Sequence, residues 1–220
     1  MNSLLQCLYH VKELRTSFID PSKYSSKTQK ICLSFSNVMN GLTYSNKSYY
    51  SPKEFKDTFA KMSSLFSGIK GGDASDLLRF LISSILTEIS NENSENNSEE
   101  EEEDNTNQRK CLEDAKKEVY LDNPINQIFN FYEEAIYYCS RCKNKCYSIQ
   151  NETTIIFDLV AISKQYRDNI NIYDCFDYNY DRIINRSMFN CSKCRKNVKG
   201  EKEEKILIPP KNLIIILNRG

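Results

Sequence analysis

Two cysteine pairs, Cys139-x-x-Cys142 and Cys191-x-x-Cys194, constrain this chain more than any other feature. Each spacing lets two thiolates face one another across a tight turn, and two such knuckles supply the tetrahedral S4 set that a structural zinc prefers. The 48 residues between the pairs are too many for a small finger folded around one metal. They suit a zinc ribbon whose knuckles sit at the ends of long strands, with an elaborate insertion between them. A metal that closes so long a loop pins a region whose own core is thin. Arg141, Lys143, Lys193 and Arg195 flank the pairs and favour thiolates without being ligands. Cys146, four positions after Cys142, leaves one vertex open: it either replaces a ligand or is a buried or surface thiol outside the set. One structural Zn2+ on Cys139, Cys142, Cys191 and Cys194 is expected, against the alternative of four incidentally spaced thiols.

The other cysteines carry less chemistry. Nine is an odd number, and with four of them in two close pairs a reducing compartment, cytoplasm or nucleus, is favoured over a secreted disulfide scaffold. Cys7 falls among apolar helical positions and is expected in the core, while Cys32, Cys111 and Cys175 have no ligand-like company. His10 is the only imidazole. To act as a base it would have to meet Cys7, three residues earlier on a continuous helix, where nothing supplies an oxyanion hole or a cleft. A solvent-facing His10 is expected, and no catalytic residue is assigned.

Periodicity places helices first. Leu4, Leu5, Leu8, Val11 and Leu14 share one broad apolar face, whereas the short alternation of Ile31, Leu33 and Phe35 fits a strand or a helix. Ser51-Pro52-Lys53-Glu54 reads as a capping box that opens a helix with Phe55, Phe59, Met62 and Phe66 on its stripe, ending near Gly68. Gly71 and Gly72 break the chain before a helix capped by Asp73, with Leu77, Leu78, Leu81, Ile85 and Ile89 buried. The composition then turns polar. Nine acids and no Lys or Arg fall between Glu88 and Asp104, so the neutral total of 30 basic and 30 acidic groups hides a spacer in a mildly basic chain. Residues 91–110 are expected to form a disordered insertion, between a helical part over 1–90 and a part over 111–220. Thr153 to Leu159 reads as a strand with Ile155, Phe157 and Leu159 on one face. Ile206, Ile208 and the run from Leu213 to Leu217 read as later strands split by Pro209 and Pro210, and Ile172 to Ile184 as a short helix and its approach. The plan is α+β: helices, then an antiparallel, metal-pinned sheet. No apolar run is long enough for a membrane span, and the scattered aromatics form no platform beside a basic patch, which disfavours nucleic acid.

These segments also carry a resemblance. Met1, Asn2, Ser3, Leu4, Leu5, Gln6, Cys7 and Leu8 resemble the stretch directly after the catalytic cysteine of the ubiquitin-specific protease family, where Cys-Tyr precedes Met-Asn-Ser-x-Leu-Gln. Gly71 to Leu78 resembles that family's Gln-Gln-Asp-Ala-x-Glu-Phe helix start, departing at both Gln positions, at the acid and at the aromatic. Thr153 to Ile162 is similar to the strand after the first Cys pair, and Asp174 to Tyr180 to the short helix before the second. Lys205, Ile206, Pro209, Leu213, Ile214, Ile215, Leu217, Asn218 and Arg219 resemble the stretch ending Pro-x-x-Leu-x-x-x-Leu-Lys-Arg-Phe.

The order and spacing of these pieces cover nearly the whole chain outside the spacer. The resemblance implies a papain-like fold, here partial: a helical thumb, zinc-ribbon fingers and an incomplete palm. It implies ubiquitin or ubiquitinated proteins as partners, Asp73 as an acid that contacts the ubiquitin tail, and thiol-dependent hydrolysis of the isopeptide bond at ubiquitin's C-terminal Gly as the family reaction. In that register the nucleophile lies two positions before Met1 and the catalytic His well beyond Gly220. The chain is therefore expected to be a truncated, inactive piece of such an enzyme, with a catalytically dead ubiquitin-binding or scaffold module as the alternative.

Overall fold

The computed structural model describes residues 1–46, 49–67, 73–90, 107–117, 123–166, 169–180 and 184–220. Gly68, Gly71, Gly72 and the acidic run over 91–106 lie outside them. The chain divides into two units, Met1–Asn96 with Asp122–Ile128, and Asn97–Leu121 with Phe129–Gly220.

The first unit is helical: α1 (Asn2–His10), α2 (Lys12–Phe18), α3 (Lys30–Tyr44), α4 (Lys53–Met62) and α5 (Ala74–Ser90), joined late in the chain by most of the short α7 (Pro124–Phe129). The expected continuous first helix breaks at Val11, whose extended ψ of 102° separates α1 from α2. Leu5, Leu8 and Leu14 are buried, but Cys7 is exposed rather than in the core. At 100° per residue it stands two positions from Leu5 and off the buried stripe. His10 is exposed.

Ile31 to Phe35 is helical, the start of α3, where Ile31, Cys32 and Phe35 are buried. No side chain at its own N-cap bonds the first turn. Glu88 of α5 does so instead, accepting from the Ile31 N–H at 2.9 Å and the Cys32 N–H at 2.8 Å. The capping box at Ser51 does not form: the cap position is Pro52, and no side chain caps α4. Phe55 and Phe59 are buried as expected, but α4 stops at Met62, which is exposed, and Phe66 follows in a separate 3-10 turn over Ser64–Phe66. The core is a chain of rings. Phe18 meets Phe35 at 5.1 Å, Phe35 meets Phe55 at 6.2 Å, Phe55 meets Phe59 at 4.3 Å, and Phe59 meets Phe80 at 5.3 Å.

The second unit contains a four-stranded antiparallel sheet made of β1 (Phe131–Cys139), β2 (Lys145–Glu152), β4 (Ile184–Cys191) and β5 (Lys196–Ile208), in the order β2-β1-β5-β4. The remaining strands, β3 (Thr154–Asp158) and β6 (Ile214–Asn218), pair in parallel, which departs from the expected antiparallel plan. Parallel pairing needs a long crossover. Here it includes two helices, α8 (Leu159–Tyr166) and α9 (Ile172–Tyr180), together with β4 and β5. Leu159 begins α8 rather than ending a strand. Phe131, Ile155, Phe157, Ile162 and Cys175 form this unit's main buried cluster.

A further helix, α6 (Gln108–Lys117), packs on β2 and includes Gln108 to Lys110, which composition alone assigns to the spacer. Its Gln108 amide donates to Glu134, a fully buried carboxylate in the middle of β1 that also pairs with Lys205 at 2.8 Å. Both groups are needed, since a buried carboxylate without partners costs several kcal/mol.

Candidate metal centre

The two knuckles are built alike. In the first, β1 ends on Cys139, whose carbonyl accepts from the Lys143 N–H at 2.9 Å while its own N–H donates to the Asn144 carbonyl at 3.0 Å. In the second, β4 ends on Cys191, whose carbonyl accepts from the Arg195 N–H at 2.7 Å. Each turn is completed by a left-handed residue directly after its second cysteine, Lys143 at φ 58° and Arg195 at φ 50°. A residue with a Cβ costs about 1 kcal/mol in that conformation. The conformation brings the chain back into the next strand, β2 from Lys145 and β5 from Lys196.

The turns interlock sulfur to sulfur. Cys139 Sγ lies 3.8 Å from Cys194 Sγ, and Cys142 Sγ lies 3.8 Å from Cys191 Sγ. All four sulfurs lie within 4.8 Å of one another. A zinc–sulfur bond of about 2.3 Å in a regular tetrahedron gives a sulfur–sulfur edge of about 3.8 Å. The residues therefore fit a zinc ion both by donor chemistry and by spacing. Four protein sulfurs would also fill the coordination shell, as in a structural rather than a catalytic site.

The protonation pattern points the same way. The Cys142 N–H, with that of Arg141, holds the Cys139 thiol down at about 6, whereas the Cys142 thiol and burial push Cys194 up to about 12. Four adjacent thiols cannot all ionise by themselves, and a divalent cation is what makes four thiolates compatible. Around them, Tyr137 stacks on Phe189 at 4.8 Å, Val198 packs alongside, and Lys202 stands over the Tyr137 ring at 5.9 Å. Gly200 is the tightest point of the sheet here. A Cβ added to it would stand 2.3 Å from the Tyr138 carbonyl and 2.7 Å from the Phe189 ring, so β5 can run beside β1 only without a side chain there.

Cys146 is a buried thiol outside the compact four. Its sulfur nonetheless sits 3.8 Å from Cys191 Sγ, and burial pushes it up to about 11. The spacing of the pairs foretells the four sulfurs; nothing local in the sequence marks Gly200, Glu134 or the approach of Cys146 to Cys191. Cys7 and His10 are both exposed on α1. Asp73 stands exposed at the start of α5, where its carboxylate accepts from the Ser75 N–H at 2.7 Å and the Ser75 hydroxyl at 2.8 Å. Those bonds hold its carboxyl below the ordinary value. Cys32 is buried on α3, Cys175 of α9 is buried in the cluster with Phe131, Ile155, Phe157 and Ile162, and Cys111 is half-buried on α6.

Residues 1–220 match the family model described as ubiquitin carboxyl-terminal hydrolase. The chain is 24% identical over 231 residues to ubiquitin carboxyl-terminal hydrolase Usp2 of Drosophila melanogaster, covering 100% of this chain and 23% of the fly protein. It is 25% identical over 246 residues to ubiquitin carboxyl-terminal hydrolase 4 of Saccharomyces cerevisiae (strain YJM789), covering 100% of this chain and 26% of that protein. It thus spans about a quarter of the length of these curated relatives. Among solved structures it is similar to the SAGA Ubp8/Sgf11/Sus1/Sgf73 DUB module bound to ubiquitin aldehyde, with a TM-score of 0.67 at 17% identity over 100% of this chain and 44% of that one. At that identity the likeness establishes the α+β fold. No helix among the described residues is long and apolar enough to cross a membrane.

Proposed function

The chain belongs to the ubiquitin carboxyl-terminal hydrolase family, and from that premise we propose that it is the helical and zinc-ribbon part of a deubiquitinating cysteine hydrolase whose partner is ubiquitin or a ubiquitinated protein. The observation that carries this reading is the family match running through all 220 residues, with both cysteine pairs converging at the strand ends. Cys139, Cys142, Cys191 and Cys194 would hold one Zn2+, which when bound supplies a structural pin. The chain's own residues do the rest. The left-handed turns aim the sulfurs, and the stacked Tyr137 and Phe189 shield them from one side. A reducing compartment, cytoplasm or nucleus, is the setting in which such thiols persist.

The family reaction requires a nucleophile, a base and an oxyanion donor together. Within these 220 residues the one imidazole, His10, is exposed on α1 next to an exposed Cys7. We therefore assign the 220 residues to holding substrate, and expect them by themselves to leave ubiquitin conjugates uncut. The same observation favours a second reading, a catalytically dead ubiquitin-binding or scaffold module. Two measurements on the 220-residue polypeptide test this. A fluorogenic ubiquitin substrate is expected to stay intact, and cleavage abolished by Cys7→Ala would overturn the assignment. Titration with ubiquitin, followed by NMR, is expected to shift finger-strand resonances saturably; no shift in a folded, metal-loaded chain would remove ubiquitin as the partner.

A further inference from the structure

We propose that the metal centre has a reserve ligand: Cys146 takes the coordination position of Cys142 when Cys142 is lost from the set. The inference rests on the metal reading above and deepens it.

Cys142 Sγ and Cys146 Sγ each stand 3.8 Å from Cys191 Sγ, the sulfur–sulfur edge of a zinc thiolate tetrahedron. Cys194 has its 3.8 Å neighbour in Cys139. Two thiols therefore stand at edge distance from the one anchor, Cys191. Both come from the same hairpin, Cys142 from the turn and Cys146 from the second residue of β2. A tetrahedral site has four positions, and Cys146 lies outside the four sulfurs that are mutually within 4.8 Å, so the relation is exchange rather than simultaneous binding. Exchange needs the Cys146 sulfur, already in contact with Cys191, to move into the position that Cys142 leaves.

The two thiols differ in access, which gives the exchange its purpose. Cys142 is partly exposed, whereas Cys146 and Cys191 are each 0% exposed. An alkylating or oxidising reagent in solvent reaches Cys142, and the equally half-buried Cys194, before it reaches Cys146. The Cys146 S–H donates to Cys191 Sγ, so its sulfur faces the ligand set and does more than fill space among Tyr137, Phe189 and Val198.

Cobalt(II) in place of zinc provides the test, since its thiolate charge-transfer and d–d absorption reports how many sulfurs bind it. The unsubstituted chain is expected to take up one Co2+ with a four-sulfur spectrum, and no uptake there would overturn the metal reading and this proposal with it. Cys142→Ser is expected to keep a four-sulfur spectrum through Cys146. Cys142→Ser with Cys146→Ser is expected to show a three-sulfur spectrum and at least tenfold weaker binding, and Cys191→Ser alone is expected to do the same. A three-sulfur spectrum in Cys142→Ser, unchanged by adding Cys146→Ser, overturns the proposal while leaving the metal reading standing. A second measurement avoids substituting Cys142. Metal-loaded chains alkylated at Cys142 by iodoacetamide, as located by mass spectrometry, are expected to retain the metal, and Cys146→Ser chains alkylated at the same residue to release it. Equal release from both overturns the proposal.

Discussion

The helical unit and the four-stranded sheet solve the same problem by opposite means. In the helical unit five phenylalanines, from Phe18 to Phe80, pass ring contacts from helix to helix, and the full burial of Phe18, Phe35, Phe55 and Phe59 contributes roughly 1.5 to 3 kcal/mol each. At the far end of the sheet the buried cluster is three cysteines, Cys139, Cys146 and Cys191, with only partly buried Tyr137, Phe189 and Val198 around them. A helix stripe closes on its own apolar surface; a sheet tip made of two turns has too little of it, and cross-linking through a metal replaces the missing core.

The sharpest way to break this comparison is to remove the metal. Chelation is expected to cost the sheet tip a binding free energy on the order of 10 kcal/mol. Amide exchange should then rise sharply at the ends of β1 and β4 and in both turns, while α3 and α5 keep their protection. Loss of protection throughout the helices would show that the two units do not differ in this way. Next in size is the converse experiment. Phe59→Ala removes a ring that contacts Phe55, Phe66 and Phe80, and is expected to cost about 3 to 5 kcal/mol of helical-unit stability. One metal per chain should still bind, as atomic absorption would show.

That division also explains what can be read from the sequence. The α5 stripe and the cysteine pairs are legible because each is a local pattern, a 3.6-residue period or a two-residue gap, tied directly to geometry. Cys7 is misplaced because standing among apolar residues is not standing on their stripe: within α1, 100° per residue turns it away from buried Leu5 and Leu8. The Ser51 cap fails for a related reason: a residue that can cap a helix does so only where the chain enters at the right angle, and here Pro52 takes the cap position. Long-range partnerships leave no local trace. The carboxylate that caps α3 comes from Glu88, 56 positions beyond Cys32, and the partner of buried Glu134 is Lys205. The parallel pairing of β3 with β6 depends on everything folded between them.

Gly200 allows a milder test of the same contrast. It lies opposite Cys139 in the β1–β5 pairing, and a Cβ there would meet the Tyr138 carbonyl at 2.3 Å. Because that obstacle is backbone, Gly200→Ala is expected to push the strands apart and cost roughly 1 to 3 kcal/mol. It should weaken metal binding, read by competition with a chromophoric chelator, without changing the melting of the helices. Unchanged metal affinity would mean that the knuckles are positioned by their turns alone.

Asp73 gives the smallest effect and separates two roles for one carboxylate. Its bonds from Ser75 depress its pKa, so its contribution to the start of α5 is fully present above the unfolded value, near 3.9, and is lost as pH falls through the lower folded value. Protection of the Ser75 amide is expected to be flat above pH 4 and to fall below it. Asn at this position can still accept from the Ser75 N–H but carries no charge, whereas Ala can do neither. If the side chain serves α5 alone, Asp73→Asn leaves ubiquitin affinity untouched and only Asp73→Ala loosens the helix start. The proposed tail contact requires more of Asp73→Asn: weaker ubiquitin binding, with a smaller dependence on salt, at unchanged Ser75 protection. Calorimetry at two ionic strengths on the three chains separates these outcomes, and equal affinity of the Asp and Asn forms would leave Asp73 as a helix cap and nothing else.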